Sequence, residues 1–222
     1  MVIPAFQAAT TIGSVVDRTR ATLPEAKVVV VNDGSTDGTY SVAADTVLTH
    51  ERNLGKGAAL RAGIREAIRQ DAGIVVTLDA DGQHRPEEIP RLIRPIADGQ
   101  ADLVLGARER TGGMPVSRRF TNWLSAALVT RIGGQRVRDA QTGFRAFTRE
   151  VAEWVRPPGD RYEYEANFLL DALRRGFRVM SVGVPTIYGG RSHFRAWSDT
   201  WRVARAFARH ARRIVVGATA GR

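Results

Sequence analysis

Two short apolar runs in this chain each lead straight into a loop rich in aspartate and glycine. Residues 28–31 read VVVV and continue as NDGSTDG, and residues 74–78 read IVVTL and continue as DADGQ. Apolar runs of this length, bounded by turn-forming residues, are typical of strands buried on both faces of a parallel sheet. The sequence therefore predicts a parallel sheet that presents acidic loops at one edge.

Helical patterns alternate with apolar runs along the chain, which predicts an α/β fold with helices on both faces of a mostly parallel sheet. Ligands of such sheets bind at the carboxyl ends of the strands. The length of 222 residues suits one domain, and RPPGD at 156–160 is interpreted as a loop. We also predict strands at 2–3, 103–105 and 179–184 and helices at 9–23, 57–69, 86–96 and 121–132. The first strand is very short, or the natural start of the chain lies upstream.

Composition limits the classes of protein to which the chain can belong. It contains no cysteine, which excludes disulfides, thiolate zinc sites and cysteine nucleophiles and agrees with a reducing cytoplasm. The amino terminus does not resemble a signal peptide, and no apolar stretch is long enough to predict a membrane span. The net charge of +10 favours anionic partners such as nucleotides, phospholipid surfaces or nucleic acid, although a solvated basic surface explains it too.

Three aspartates follow the two acid-rich strand ends and are expected to face one cleft. Asp33 follows the first strand, and Asp79 and Asp81 follow the second. Their carboxylates would repel one another unless a divalent cation or ribose hydroxyls separated them. The alternative is that they are ordinary turn or cap residues, which we favour for Asp37 but not for Asp79 with Asp81. The spacing excludes an EF-hand, a P-loop and a dinucleotide fingerprint.

Six motifs in chain order resemble those of family 2 glycosyltransferases with the GT-A fold. The chain is most similar to the branch that contains dolichyl-phosphate mannose synthases and polyprenyl-phosphate glycosyltransferases. The motifs are VIPAF (2–6), VVVNDGSTDGT (29–39), NLGKGAALRAGI (53–64), LDADGQHRPEEI (78–89), GAR (106–108) and DAQTGFRAF (139–147). The resemblance implies a GT-A (nucleotide-diphospho-sugar transferase) catalytic domain at 1–195, with a mostly parallel central sheet, followed by a C-terminal segment at 196–222.

The resemblance also implies nucleotide-binding and metal-binding residues. Asp33 matches an aspartate that binds the base or ribose, and Lys56 lies in a loop beside the nucleotide. The sequence Asp79-Ala80-Asp81 matches the DXD motif, which implies Mg²⁺ or Mn²⁺ as cofactor. The metal-binding candidates are Asp79, Asp81 and Gln83, with Asp81 and Gln83 favoured as direct ligands, and Asp79 and Ala80 are also candidates for contact with the nucleotide. The strand and loop that hold the nucleotide are represented by Pro4, Ala5 and Phe6.

One departure from the family leaves the nucleobase open. The family usually has Asn-Glu-Glu after Pro-Ala-Tyr, whereas Gln7, Ala8 and Ala9 follow Phe6 in this chain. The carboxylate expected near the base is therefore missing, and the identity of the donor nucleotide is not predicted.

The resemblance places catalytic and acceptor-binding residues in the second half of the chain. Arg108 matches a basic residue near the diphosphate or the acceptor phosphate, and Asp139 and Arg145 match a loop near the transferred sugar. Glu163 and Glu165 open a helical pattern, either as an acidic first turn or with one of them facing the sugar. The catalytic candidates are Asp81, Arg108, Asp139, Glu163 and Glu165. The candidates for contact with an acceptor phosphate are Arg108, Arg119, Arg145, Arg191, Ser192 and His193.

Two histidines and the C-terminal segment complete the expectations. His50 and His84 have no partners at metal-ligand spacing and are interpreted as surface or loop residues. Tryptophans and arginines recur at helical spacing in 197–215, which predicts a basic amphipathic helix. Such a helix suits an anionic membrane surface, and it is equally typical of a helix that packs on the domain or contacts another protein.

These observations favour an inverting, metal-dependent transfer of a hexose, mannose or glucose, from a nucleoside-diphosphate sugar to a polyprenyl phosphate. The enzyme would then be cytoplasmic and peripheral on the inner face of the membrane. The alternative is a soluble sugar or small-molecule hydroxyl as acceptor, for which Asp139, Glu163 or Glu165 would act as general base. A nucleic-acid-binding module is a third hypothesis, and it lacks any supporting motif, so nucleic acid is not expected as a partner.

Overall fold

The described residues contain seven strands, which form one mixed sheet in the order β3-β2-β1-β4-β6-β5-β7. The computed structural model describes residues 1–108, 130, 134–135, 137–161 and 163–185. Strand β6 runs antiparallel to both of its neighbours, and the other neighbouring strands are parallel. The strands are β1 (Val2–Ala5), β2 (Val29–Asn32), β3 (Thr46–Thr49), β4 (Ile74–Thr77), β5 (Leu103–Arg108), β6 (Arg145–Thr148) and β7 (Val179–Val184).

Helices cover both faces of this sheet, as the alternating sequence pattern predicts. They are α1 (Ile12–Thr22), α2 (Lys56–Arg69), α3 (Ile89–Ala97), α4 (Arg149–Trp154) and α5 (Glu163–Arg174). Helices α2, α4 and α5 pack on one face in a core that includes Val75 and Phe147. Helices α1 and α3 pack on the other face in a core that includes Val76 and Ala146. Consecutive strand residues therefore enter opposite cores, as the two-residue period of a strand requires.

The first strand is longer than the sequence pattern suggests, because Pro4 lies inside β1. The carbonyl oxygens of Met1 and Ala5 accept hydrogen bonds from β2, whereas the Val2 carbonyl accepts from Leu78 at the end of β4. By this alternation Pro4 faces the β4 side, and the β1–β4 register contains only Val2 and Thr77. Pro4 has no N–H to donate, and on its β4 side the hydrogen-bonded ladder has already ended. Proline is tolerated at such a position.

The other predicted strands are confirmed, and most predicted helices are confirmed with shifted ends. The helix predicted from residue 86 begins as a 3₁₀ turn, Pro86–Glu88, before α3. Strands β3 and β6 and helix α4 were not predicted from the sequence. The helix predicted at 121–132 and the C-terminal segment at 196–222 lie outside the described residues. Within the described ranges, every helix is too short or too polar to cross a membrane.

Candidate active site

The loops that follow β1, β2 and β4 emerge at the same edge of the sheet, and β5 ends at this edge with Arg108. Because β6 is antiparallel, the loop that precedes it, residues 137–144, also reaches this edge. The predicted metal-binding aspartates therefore lie beside a segment that comes much later in the sequence. This carboxyl edge is where open α/β sheets bind their ligands.

A lysine from α2 links two carboxylates at this edge. The ammonium of Lys56 lies 2.6 Å from Asp79 Oδ1 and 2.9 Å from Glu165 Oε1. Burial disfavours the charge on Lys56, but the two carboxylates outweigh burial, and the pKa of the lysine is raised. Burial likewise opposes the charge on Asp79, but Lys56, His84 and Arg108 outweigh it, and the pKa of this carboxyl is lowered. Lys56 therefore bridges the side chains of Asp79 and Glu165 in one cluster.

The second aspartate of the motif has a different environment. Burial and the nearby carboxylate of Asp79 raise the pKa of Asp81. Asp81 Oδ1 accepts one hydrogen bond, of 3.0 Å, from the backbone N–H of Gln83. Gly82 has a φ of +72°, which allows the tight turn after Asp81. The loop thus brings a carboxylate that is costly to ionise next to one that is already charged.

The oxygen atoms of the loop after β4 fit a divalent cation that takes most of its ligands from phosphate and water. Asp79, Asp81 and Gln83 offer oxygen donors, and a cation would relieve the repulsion between the two carboxylates. The described part of the chain contains no group of three or more acidic or histidine side chains arranged as a metal site. Magnesium-type sites that use one or two carboxylates complete their coordination with phosphate oxygens and water.

A glycine of the 137–144 loop packs directly against Asp79. A Cβ atom at Gly143 would lie 2.6 and 2.7 Å from the two carboxylate oxygens of Asp79, closer than van der Waals contact allows. The hydroxyl of Thr77 donates a 2.7 Å hydrogen bond to the Gly143 carbonyl and fixes this approach. The sequence analysis did not single out Gly143, although the small residue within the TGF motif was the available signal.

The interpretation of His84 as a surface or loop residue is correct as to the loop, because the residue lies between β4 and the turn Pro86–Glu88, but it is wrong as to the surface. The side chain is buried and its ring stacks on Phe144, with 5.3 Å between the ring centroids. Burial lowers the pKa of His84 despite the nearby carboxylates of Asp79 and Asp81. His84 Nδ1 has no hydrogen-bond partner among the described residues. The buried imidazole therefore lies beside the two aspartates of the motif.

The candidates Arg108 and Asp139 form a two-point ion pair. Arg108 Nε and one terminal nitrogen lie 2.8 and 3.3 Å from the two oxygens of Asp139. Asp139 is buried and also accepts a hydrogen bond from the backbone N–H of Gln141. This pair fixes the plane of the Arg108 guanidinium at the end of β5, at the site edge.

Arg145 has a different position from the one expected of an acceptor-phosphate ligand. It is 3% exposed, and its guanidinium donates to the backbone carbonyls of Ala140, Thr142 and Glu165. Burial lowers the pKa of Arg145. Its geometry joins the 137–144 loop to the first turn of α5 and does not support contact with a phosphate.

The two candidate glutamates point in different directions. Glu165 reaches Lys56, as described above, whereas the side chain of Glu163 lies against Gly159. Only Glu165 therefore joins the cluster at the sheet edge. Among the predicted acceptor-binding residues, Arg119, Arg191, Ser192 and His193 lie outside the described residues.

The nucleotide-binding candidates are placed around β1 and β2. Pro4 and Ala5 are buried in β1, Phe6 follows it, and Ala80 is buried between the two aspartates of the motif. Asp33 is buried, and its carboxylate accepts from the backbone N–H groups of Leu54 and Gly55. Its contact with a base or ribose stays a prediction.

Two neighbouring residues clarify the loop after β2. Asp37 accepts hydrogen bonds from the backbone N–H groups of Ala9 and Thr39, which agrees with its interpretation as a turn residue. His50 Nδ1 lies 2.7 Å from Asp33 Oδ1 and the side chain is 17% exposed. His50 directly follows β3, which agrees with its interpretation as a loop residue, but its ring is mostly covered and contacts a buried carboxylate.

At the position of the family departure, Gln7 links two loops. It has a φ of +50°, and its side-chain amide exchanges two hydrogen bonds of 3.1 Å with Thr36. Gln7 therefore takes part in a contact between the loops after β1 and β2, in place of the expected acidic residues.

Comparisons with known proteins agree with this geometry. The model of the family described as glycosyl transferase family 2 matches residues 1–155. The chain is 30% identical over 200 residues to the polyprenol monophosphomannose synthase of Mycolicibacterium smegmatis, covering 83% of this chain and 75% of that protein. It is 29% identical over 216 residues to the UDP-N-acetylglucosamine–dolichyl-phosphate N-acetylglucosaminyltransferase of Methanococcus voltae, covering 85% of each.

A solved structure extends the similarity to the whole fold. It is the crystal structure of glucosyl-3-phosphoglycerate synthase from Mycobacterium tuberculosis in complex with Mn²⁺, UDP and glucosyl-3-phosphoglycerate. The TM-score is 0.72 at 25% identity, and the match covers 94% of this chain and 78% of that one.

Proposed function

The chain belongs to glycosyl transferase family 2 and is a glycosyltransferase with the GT-A fold, and from that premise we propose the reaction it performs. It transfers a hexose, mannose or glucose, from a nucleoside-diphosphate sugar to a polyprenyl phosphate, with inversion at the anomeric carbon and with Mg²⁺ or Mn²⁺ as cofactor. The two curated relatives support this proposal because both are named for polyprenol or dolichyl phosphate chemistry.

One observation carries the choice of acceptor. Of the three candidate bases for a hydroxyl acceptor, Asp139 is paired with Arg108 and Glu165 with Lys56, whereas Glu163 lies against Gly159 and outside the cluster at the sheet edge. A hydroxyl group must lose a proton as it attacks, and this requires a basic group within reach. A phosphate is already anionic near neutral pH and needs cations that position it. The ion pairs therefore favour a phosphate acceptor.

The residues at the sheet edge have separate roles in the proposed reaction. Asp79, Asp81 and Gln83 would hold the metal ion, which when bound supplies positive charge to the departing diphosphate. The guanidinium of Arg108, oriented by Asp139, binds the acceptor phosphate at the end of β5. An acceptor oxygen attacks the anomeric carbon, the bond from that carbon to the diphosphate oxygen breaks, and its electron pair leaves with the nucleoside diphosphate.

The test combines a panel of donors with a lipid acceptor. Purified full-length protein is incubated with GDP-, UDP- and dTDP-hexoses, Mn²⁺ and a short polyprenyl phosphate, and the lipid product is detected by mass spectrometry. We expect one donor to give a glycosylated lipid phosphate, and we expect the polyprenol without phosphate to be inert. Turnover of a donor with the free polyprenol but not with its phosphate would contradict the proposal.

A second candidate acceptor is a soluble one. The solved structure with the same fold belongs to an enzyme named for 3-phosphoglycerate, which also carries a phosphate. Competition separates the two acceptors: the same assay is run with equal concentrations of polyprenyl phosphate and 3-phosphoglycerate. Flotation with vesicles that contain anionic phospholipid provides an independent arm, because binding to vesicles favours the lipid acceptor.

A further inference from the structure

The segment 50–55, which leads into α2, is fastened to one buried carboxylate. Asp33 is 2% exposed, and its oxygens accept from Leu54 N–H at 2.9 Å and from Gly55 N–H at 2.8 Å. The Nδ1 atom of His50 lies 2.7 Å from the oxygen that Leu54 also uses. The backbone N–H of Asp33 donates to Ala5 in β1. One carboxylate thus joins both ends of the segment to the sheet.

The first helical residue after this segment is Lys56, the lysine at the sheet edge. Lys56 begins α2 and reaches both Asp79 and Glu165. Its position depends on how the chain turns at Gly55, whose φ is +103° and where a Cβ atom would overlap the Asp160 carbonyl oxygen. A small displacement of this turn would move the ammonium away from Asp79.

The start of α2 is held from the other side by a backbone carbonyl. The Asp160 carbonyl oxygen accepts from the N–H groups of Gly57 and Ala58, at 2.8 and 3.2 Å. In the described structure no side chain caps this helix. Asp33 on one side and Asp160 on the other therefore fix the turn from which Lys56 extends, and only the Asp33 side includes a side-chain donor from a histidine.

We propose that His50 is a positioning residue for the metal-binding loop. Its Nδ1–H donates to Asp33, which fixes the plane of that carboxylate, and the carboxylate fixes the turn that directs Lys56 onto Asp79. With two backbone donors alone the carboxylate would rotate more freely, and the lysine would hold Asp79 less firmly. The proposal depends on the binding of a nucleoside diphosphate with a metal ion and not on the identity of the acceptor.

Two substitutions of one residue test this idea. Asparagine places its amide nitrogen close to the position of histidine Nδ1, whereas glutamine places it one bond further out. We expect His50→Gln to weaken Mn²⁺-dependent binding of GDP or UDP about tenfold, which corresponds to the loss of about one net hydrogen bond. We expect His50→Asn to stay within about threefold of the wild type. Calorimetry on the full chain measures both.

The matched control is Asp45→Asn at the opposite end of the same strands. Asp45 accepts from the backbone N–H of Val28 at 2.7 Å and lies just before β3. This substitution should lower the melting temperature by an amount similar to His50→Gln and leave nucleotide binding unchanged.

Unchanged binding in His50→Gln, or equally weak binding in His50→Asn and His50→Gln, would overturn the proposal. Nucleotide binding that follows these expectations, in a protein that transfers no sugar to a lipid phosphate, would overturn the proposed function and leave this inference standing.

Discussion

The loops after β2 and β4 contain similar residues but differ in where their carboxylates find partners. In the loop of residues 32–38, the closed loop, Asp33 and Asp37 accept hydrogen bonds from backbone N–H groups of other segments. In the loop of residues 79–83, the open loop, Asp79 is held by the ammonium of Lys56. Asp81 accepts only from within its own loop among the hydrogen bonds of the described residues, and its pKa is raised by burial and by Asp79.

This difference separates carboxylates that backbone donors already satisfy from carboxylates that a bound cation would stabilise. Fixed backbone N–H groups satisfy the closed loop without any further charge. The open loop keeps two carboxylates in repulsion, and a cation lowers the free energy of that arrangement. The type of partner therefore distinguishes the two loops, and this information is absent from the loops' own sequences.

The largest expected effect comes from the open loop. We expect Asp81→Ala to lower kcat by about 10³-fold or more. The substitution removes a proposed ligand of the metal ion, and that ion would stabilise the leaving diphosphate. EDTA should likewise abolish the activity of the wild type, and added Mn²⁺ should restore it. Sugar-transfer kinetics across a Mn²⁺ titration measure both effects, and near-normal turnover in Asp81→Ala would remove the distinction between the loops.

A smaller effect is expected where the open loop meets the segment before β6. Gly143→Ala places a methyl group against the Asp79 carboxylate and should lower kcat about 10²-fold, since displacements of about 1 Å have such costs. Gly73→Ala is the matched control, because a Cβ atom there meets no other atom within 4 Å. If Gly143→Ala and Gly73→Ala have the same kcat, the contact between Gly143 and Asp79 does not affect catalysis.

Substitution of Arg145, which joins the 137–144 loop to α5, is expected to lower stability more than it weakens binding. Arg145→Met leaves three buried carbonyl oxygens without their donor and should lower the free energy of unfolding by about 3 kcal/mol. Arg178→Met is the control, because Arg178 makes comparable bonds at the surface, where solvent screens them, and its loss should lower stability much less. Urea unfolding followed by circular dichroism measures both. A raised KM for the acceptor at full stability would instead support a phosphate contact for Arg145.

The smallest effect is expected in the closed loop. Asp37→Ala removes acceptors for two backbone N–H groups and should lower stability by about 1 kcal/mol. For a chain of this size the melting temperature would fall by about 2–4 °C. Turnover at 25 °C should stay within about twofold of the wild type. A loss of activity as large as that of Asp81→Ala would show that the closed loop binds substrate directly.

The sequence predicts the strands that are mainly apolar and misses those that are not. The runs that form β2, β4, β5 and β7 are recognisable because they contain few polar residues, as is typical of strands in parallel sheets. Strand β3 is a half-exposed edge strand with the sequence TVLT, and β6 begins with a buried arginine. Neither has the apolar pattern on which the prediction depends.

The site shows the same limit. The spacing of Asp79 and Asp81 indicates the proposed metal-binding loop, because both residues lie in one short segment. Lys56 lies at the same sheet edge, but its bridge to Glu165 joins two helices that are far apart in the sequence. The contact of His50 with Asp33 and the burial of His84 depend on partners that no local pattern reveals.

The reversed direction of β6 has a consequence for how the protein folds. The Thr77–Gly143 hydrogen bond joins residues that are 66 positions apart, and Glu165 lies further still along the chain. Contacts of such high sequence separation form late, because the intervening chain must be closed first. The first three strands and α2 can therefore assemble before the aspartates that follow β4 acquire their neighbours. The proposed binding of a nucleotide with a metal ion would then require the completed sheet, and it would report the final step of folding.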